Sequence, residues 1–175
     1  PAPELPFYYY HIPSMSGVKL DMLAFLRAAE GRLGSLAGIK FTHEALDEYA
    51  MCIDEFASRM DILFGRDELL LPGLAVGATG AIGSGYNFAM PLYRALWSAF
   101  EAGDLEAART CQCVGVELIA TLARYGYFAG SKHCMKLLGL DLGQPRAPLA
   151  QLTAQQQASL TAELEAIRFF DWAMV

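Results

Sequence analysis

The chain has 175 residues, of which 54% are hydrophobic and 18% are charged. It is therefore long enough for one domain with a sizeable core, and this composition excludes intrinsic disorder. A net charge of −6 and a pI of about 5.0 leave no basic run that could neutralise phosphates, so we expect no nucleic-acid partner. The four cysteines and three histidines form neither a zinc pattern nor a disulfide framework. We therefore expect reduced thiols, a cytoplasmic location and no metal site.

The first half of the chain alternates short apolar runs with longer segments of helical periodicity. Strands are predicted at Leu5–Ile12, Leu36–Phe41, Asp61–Phe64 and Ala78–Ile82. Helices are predicted at Lys19–Leu33, at His43–Arg59 with Thr42 as N-cap, and at Asp67–Val76. This alternation predicts parallel strands joined by crossover helices.

The second half changes to helices alone. They are predicted at Pro91–Ala102, Leu105–Tyr125 with Asp104 as N-cap, Lys132–Leu138 and Thr153–Ile167. We therefore divide the chain into four β/α units over residues 1–102 and a helical extension over residues 103–175.

One segment has the length of a membrane span. Leu69 to Tyr93 contains 25 residues without a charge. Five glycines and two prolines interrupt it, so a buried helix, a tight turn and a buried strand fit better than a lipid-facing helix. We expect no membrane partner, and the N-terminal residues lack the regions of a signal peptide.

The carboxyl ends of parallel strands are where reacting groups gather, and Lys40 stands at one of them. Its run, Leu36–Phe41, is too apolar for an ordinary surface lysine. Burial lowers the pKa of an amine, and a neutral amine can attack a carbonyl to form a Schiff base. A lysine on an edge strand, or one paired with a buried carboxylate, would give the same pattern.

The other strand ends carry weaker signals. Tyr10 could shuttle a proton or could simply pack, and it shares a face with Tyr8 by strand alternation. Asp67 and Glu68 could be charges favoured at a helix N-terminus or acceptors for sugar hydroxyls. The glycine-rich turn at 83–87 allows close approach of a ligand without matching a dinucleotide fingerprint. The histidines, His11, His43 and His133, are interpreted as hydrogen-bonded structural or surface residues.

Taken together, the four strand ends carry a more specific signal than any one of them alone. The segments YYYHIPSMSGV, GIKFT, FGRDE and GATGAIGSGYN resemble the dihydrodipicolinate synthase / N-acetylneuraminate lyase family of class I pyruvate aldolases. The resemblance runs from Pro6 to about Leu149. It implies the α/β fold of the second half of a TIM (β/α)8 barrel, strands five to eight, followed by a C-terminal helical extension.

The resemblance also implies roles for individual residues. Lys40 matches the Schiff-base lysine and Tyr10 the proton shuttle. The matching substrate-binding positions are Thr42, Gly65, Asp67, Glu68, Gly83 and Ser84. The implied reaction cleaves N-acetylneuraminate to N-acetylmannosamine and pyruvate, with sialic acid and pyruvate as small-molecule partners and with neither a metal nor an organic cofactor.

Some positions bear on the branch of the family. The synthases of the resembled family carry an arginine where this chain has Met15, and they tend to have Asp in place of Glu68. Both differences favour a neutral, hydroxyl-rich substrate tail. His11 resembles the animal-type lyases, whereas Gly85 departs from the usual threonine, so the preferred sugar stays open.

The chain lacks the G-x-T-G-E turn that binds the substrate carboxylate in the resembled family. We therefore expect a fragment of a longer enzyme, or a chain completed by a partner, with no measurable lyase activity alone and a homotetrameric state when complete. Two alternatives remain: another pyruvate-dependent aldolase, acting on a sugar acid or resembling dihydrodipicolinate synthase, and a non-catalytic β/α fragment.

Overall fold

The computed structural model describes residues 4–173, so the first three and last two residues of the predicted domains lie outside the described residues. Two units divide the chain, the first ending at Ile82 and the second beginning at Gly83. The predicted division at residues 102 and 103, which follows the change from β/α units to helices alone, stays a prediction.

The first unit is built on a parallel sheet, as the alternation predicts. Its strands are β1 (Phe7–His11), β2 (Leu36–Phe41) and β3 (Asp61–Phe64), in the order β1-β2-β3. The predicted limits of the second and third strands are confirmed. The register of β1 against β2 shifts between Phe7 and Tyr8 and is regular from Tyr8 onward.

The predicted fourth strand, Ala78–Ile82, is wrong in extent. In the described part of the chain this run makes a single parallel bridge, between Ala81 and Phe64. The Phe64 amide donates to the Gly80 carbonyl over 2.9 Å, and the Ile82 amide donates to the Phe64 carbonyl over 2.8 Å. The partner strand β3 ends at Phe64, and Gly80 offers no side chain to pack, so the pairing stays a single bridge.

Short helices follow each of these strands. They are α1 (Pro13–Ser16), α2 (Met22–Ala29), α3 (Leu46–Phe56) and, after a 3-10 turn at Asp67–Leu69, α4 (Leu70–Ala75). Thr42 is not the N-cap of α3, because three further residues precede the helix and Ala45 occupies the cap without a side-chain bond. Instead the Thr42 amide extends the sheet, donating to the His11 carbonyl over 2.8 Å.

One face of the sheet carries the core of the first unit. The Tyr49 ring of α3 lies 5.2 Å from the Phe41 ring and 5.0 Å from the Phe64 ring, and its hydroxyl donates to the Ile62 carbonyl over 2.8 Å. Burial raises the pKa of the Tyr49 phenol. Strand alternation places the intervening side chains on the opposite side. We call that side the polar face; its residues are Tyr8, Tyr10, Gly38, Lys40, Asp61 and Leu63.

The second unit is helical. Its helices are α5 (Tyr86–Glu101), α6 (Leu105–Arg124), α7 (Tyr127–Leu137) and α8 (Ala154–Ala166), followed by a 3-10 turn at Phe169–Asp171. The predicted cap of α6 is confirmed, since the Asp104 carboxylate accepts from the Ala107 amide over 2.9 Å. Helix α5 begins before the predicted Pro91, with non-helical backbone at Ala89 where the proline interrupts the helical bonds.

The uncharged segment from Leu69 to Tyr93 does not form one continuous helix. It is divided between α4 and the start of α5, with the bridge at Ala81 between them. Across the residues that the structure describes, no helix combines the length and the apolarity needed to cross a membrane.

Candidate active site

Lys40 and Tyr10 are direct cross-strand neighbours on the polar face. The parallel register pairs them, and the Lys40 Nζ lies 4.2 Å from the centroid of the Tyr10 ring. An ammonium group over an aromatic face is attracted by the ring quadrupole. The two groups that the sequence analysis assigned to Schiff-base chemistry and proton transfer are therefore brought together.

The surroundings of Lys40 differ from the expectation in one respect. The lysine is half-buried, not enclosed, and Tyr10 is 48% exposed. The apolar neighbours that suggested deep burial, Ile39 and Phe41, are fully buried, but strand alternation directs them to the opposite face. An apolar run along a strand therefore does not by itself measure the burial of every residue in it.

The structure separates the three consecutive tyrosines and confirms the predicted alternation, with Tyr8 and Tyr10 on one face of the strand and Tyr9 on the other. Tyr9 lies on the face of the sheet opposite the polar face, with its ring 4.8 Å from the ring of Phe25 in α2. The Tyr8 hydroxyl donates a hydrogen bond to the Asp61 carboxylate, and this bond raises the pKa of Tyr8. Only Tyr10 is placed against Lys40 in the described structure. Of the three, Tyr10 is thus the tyrosine that lies beside the amine, and its role in proton transfer stays a prediction.

Thr42 and Gly65 form a tight contact just beyond the ends of β2 and β3. Thr42 is buried, and its Oγ1 has no hydrogen-bond partner among the described residues. A Cβ on Gly65 would lie 2.0 Å from that oxygen, so only glycine fits here. A buried hydroxyl without a partner is costly, and the substrate-binding role of Thr42 stays a prediction.

The two carboxylates after β3 differ in their surroundings. Asp67 is buried, with 4% of its surface exposed, and it begins the 3-10 turn. Glu68 is half-buried and lies 2.8 Å from the Arg66 guanidinium, which also contacts Glu44 at 3.4 Å. The sequence predicted both carboxylates at this strand end but not the arginine that balances the charge of Glu68.

Gly83 and Ser84 begin the second unit. The Ser84 carbonyl accepts from the Asn87 amide over 3.1 Å and from its Nδ2 over 3.0 Å. The Ser84 Oγ lies 2.8 Å from the Tyr127 hydroxyl at the start of α7. Tyr127 was missed because the predicted helix begins only at Lys132 and no local pattern links two residues so far apart in sequence. The substrate-binding roles of Gly83 and Ser84 stay predictions.

His11 does not fit its predicted role as a hydrogen-bonded residue. It is 1% exposed, and neither ring nitrogen has a hydrogen-bond partner in the described part of the chain. It borders a cavity of about 370 Å³ together with Lys19, His43 and Glu48. His133 does follow its prediction, with its Nε2 2.8 Å from the Thr161 hydroxyl. Among residues 4–173, no three His, Cys, Asp or Glu side chains are grouped so as to hold a metal ion.

The burial of His11 gives an expected pH dependence. Burial lowers the pKa of its imidazole in the folded chain, against a nearby opposing effect of Glu48. In the unfolded chain the ordinary pKa is about 6.5, so below this pH the unfolded state binds a proton that the folded state does not. The stability that neutral, buried His11 contributes is therefore complete above about pH 6.5. It is lost as the pH falls toward the lowered pKa of His11 in the folded chain.

We expect His11→Leu to weaken this pH dependence. Urea unfolding at about pH 7.5 and about pH 5.5 should show that the free energy of unfolding falls less between these pH values in the variant than in the unchanged chain. Met51→Leu, which borders the same cavity and carries no titratable group, is the control and should keep the loss seen in the unchanged chain. Equal losses in His11→Leu and the unchanged chain would contradict the assignment.

Comparison with known proteins places the chain in a group of related enzymes. The profile of the Dihydrodipicolinate synthetase family matches residues 1–167. N-acetylneuraminate lyase of Rattus norvegicus is 37% identical over 174 residues, covering 98% of this chain and 54% of that protein. N-acetylneuraminate lyase of Xenopus tropicalis is 39% identical over 150 residues, covering 85% of this chain and 49% of that protein. The chain thus spans about half the length of the curated relatives it matches.

Solved structures agree with the sequence comparison. Proteus mirabilis N-acetylneuraminate lyase superposes with a TM-score of 0.91 at 42% identity, covering 96% of this chain and 57% of that chain. KD(P)GA from T. tenax superposes with a TM-score of 0.82 at 27% identity, covering 93% of this chain and 56% of that chain. The α/β fold is therefore that of this barrel family, and the parallel sheet with its helices corresponds to part of the barrel.

Proposed function

Because the chain belongs to the dihydrodipicolinate synthetase family, we propose that it carries the Schiff-base centre of an aldolase that cleaves N-acetylneuraminate to N-acetylmannosamine and pyruvate. The observation that carries the proposal is the Lys40 amine against the Tyr10 ring in cross-strand register. The lyases named among the relatives support the substrate class. We further propose that the chain acts within a longer polypeptide, or with a partner chain, as a cytoplasmic homotetramer.

The reaction begins at Lys40. Its neutral amine attacks the C2 keto carbon of the open-chain sugar acid and forms a carbon–nitrogen bond. One proton from the amine and one from solvent convert the carbonyl oxygen to water, which leaves behind a protonated imine. The protonated imine then accepts the electron pair released when the C3–C4 bond breaks. The Tyr10 hydroxyl relays the proton of the C4 hydroxyl, accepting it while passing its own proton to solvent, as the C4 oxygen becomes the aldehyde of N-acetylmannosamine. Protonation of the enamine at C3 and hydrolysis of the imine release pyruvate and restore the amine.

The predicted substrate-binding groups suit a polyhydroxyl chain. Carboxylates accept hydrogen bonds from sugar hydroxyls, and Asp67 and Glu68 supply two of them. The Thr42 hydroxyl supplies a group that can donate or accept. Met15, which is 67% exposed, adds no positive charge to attract a second carboxylate. We assign the sugar tail to Thr42, Gly65, Asp67, Glu68, Gly83 and Ser84.

A second candidate function is an aldolase of the same chemistry with another sugar acid as substrate. The 27% identity to KD(P)GA from T. tenax shows that other proteins share this fold, but it is lower than the 42% identity to the Proteus mirabilis lyase. Assays with N-acetylneuraminate and with 2-keto-3-deoxy sugar acids separate the two candidates. A non-catalytic fragment would cleave neither.

Borohydride trapping tests the proposal. We expect pyruvate and borohydride to attach a reduced three-carbon adduct to Lys40, located by peptide mass spectrometry. Lys40→Arg should abolish the adduct, because a guanidinium stays protonated and cannot form the imine. Lys19→Arg, beside the His11 cavity, is the matched control and should be labelled normally.

The experiment uses two proteins. One is the chain alone, for which we expect no turnover of N-acetylneuraminate. The other is a chimera in which this chain replaces the segment of the Proteus mirabilis lyase that it matches. A folded chimera that forms no adduct, or one labelled at a lysine other than Lys40, would overturn the proposal.

A further inference from the structure

The Tyr8–Asp61 hydrogen bond links two strands that are not neighbours in the sheet. The order β1-β2-β3 places β2 between them, and neighbouring strands lie about 4.8 Å apart. The register pairs Tyr8 with Gly38 and Gly38 with Asp61, so the three residues form one row across the sheet. The Tyr8 side chain therefore reaches over Gly38 to bond Asp61.

Gly38 is what allows this link. A Cβ at Gly38 would lie 2.1 Å from the Asp61 carbonyl oxygen and 3.0 Å from the Asp61 Cβ. A side chain there would occupy the space between the two partners. Both the close approach of β2 to β3 and the Tyr8–Asp61 bond thus require a residue without a side chain at position 38.

The row lies next to the proposed reactive groups. Tyr10, Lys40 and Leu63 form the following row, two residues further along each strand and on the same polar face. The register of β1 is irregular between Phe7 and Tyr8 and regular from Tyr8 onward. The Tyr8–Asp61 bond is therefore made by the first residue of the regular part of β1, the part that also pairs Tyr10 with Lys40.

A shift of one residue in this register would be severe for the site. Successive strand residues point to opposite faces, so a one-residue slip would move Tyr10 away from the face that carries Lys40. Hydrogen bonds along β1 alone permit such a slip, because every backbone position offers the same groups. A side-chain bond from β1 to β3 distinguishes the registers, since it forms only when Tyr8 lies opposite Gly38.

We propose that the Tyr8–Asp61 hydrogen bond is a positioning element that holds β1 in the register placing Tyr10 against Lys40. The inference rests on the proposed function for the roles of Tyr10 and Lys40. Tyr8 and Asp61 act through that pair and do not touch the reacting atoms.

Tyr8→Phe tests the inference, with Tyr9→Phe as the matched control on the opposite face of the same strand. In the chimera we expect Tyr8→Phe to slow the borohydride trapping of pyruvate about tenfold, the effect of losing one hydrogen bond to a charged group. Tyr9→Phe should leave the trapping rate within about twofold. Rates are compared per folded protein, so a loss of stability alone would not change them.

Substitutions at Asp61 complete the test. Asp61→Ala should slow trapping as Tyr8→Phe does, and the double variant should be no slower than either single variant, because both remove the same bond. Asp61→Asn keeps an acceptor oxygen and should retain most of the rate. Additive losses in the double variant would overturn the inference.

A second measurement separates this inference from the proposed function. In the isolated chain, the Phe7 amide donates to the Ser35 carbonyl over 2.7 Å and the Thr42 amide to the His11 carbonyl over 2.8 Å, so both report the attachment of β1. Hydrogen exchange at these amides should rise about tenfold in Tyr8→Phe and stay unchanged in Tyr9→Phe. Unchanged exchange in Tyr8→Phe overturns the register role. Faster exchange with no trapping in the unsubstituted chimera supports the register role and contradicts the proposed function instead.

Discussion

Replacing Gly38 by alanine is expected to unfold the first unit or to displace its strands. The added methyl group would lie 2.1 Å from the Asp61 carbonyl oxygen, which belongs to the backbone of a paired strand and cannot rotate away. Overpacking of this kind costs about 3 kcal/mol or more where the backbone itself must move. Urea unfolding followed by circular dichroism measures the loss directly.

Gly34→Ala is the matched control for this substitution. Gly34 precedes the same strand, and a Cβ there would meet nothing within 4 Å. We expect its free energy of unfolding to stay within about 1 kcal/mol of that of the unchanged chain. If Gly38→Ala were as stable as Gly34→Ala, the result would contradict the close approach of β2 and β3 at Gly38 and Asp61.

Replacing Tyr10 by phenylalanine is expected to lower the rate of N-acetylneuraminate cleavage by about 10² to 10⁴ in the chimera. The substitution keeps the ring beside the Lys40 Nζ and removes only the hydroxyl that is proposed to relay the C4 proton. Formation of the imine with pyruvate needs no such proton transfer, so borohydride trapping at Lys40 should persist. The rate of cleavage and the rate of trapping are therefore expected to separate.

The control for this experiment is again Tyr9→Phe, whose ring contacts Phe25 on the opposite face. It should cleave N-acetylneuraminate at nearly the unchanged rate. A Tyr10→Phe chimera that cleaves the sugar acid at full rate would remove Tyr10 from the mechanism. A variant that loses trapping as well would indicate that the hydroxyl serves Lys40 itself.

The elements with a strong local pattern could be predicted from the sequence. The limits of β2 and β3 follow from apolar runs bounded by turn residues, and the cap at Asp104 follows from a short polar side chain before a periodic segment. The strand Ala78–Ile82 was predicted too long, because its partner β3 ends at Phe64 and pairs with this run only at Ala81. Strand alternation also predicted that Tyr8 and Tyr10 share a face.

The parts of the candidate site that depend on long-range placement could not be predicted in the same way. The pairing of Tyr8 with Asp61 requires the register of three strands, and 53 residues separate the two partners. The half-burial of Lys40 depends on which face of the sheet the helices cover. The position of α7, which brings Tyr127 to Ser84, depends on tertiary packing and leaves no local signal.

Strand β1 pairs with β2 on one side only in the described structure, and its aromatic side chains Phe7, Tyr8 and Tyr10 are 39–48% exposed. A strand with one set of backbone donors and acceptors left over is a template for another chain. Concentrated solutions of the isolated chain should therefore self-associate through this edge, and dilute preparations or added charge near Phe7 should keep it dispersed. Strand β1 thus both places Tyr10 against Lys40 and provides the unpaired edge through which the isolated chain is expected to associate.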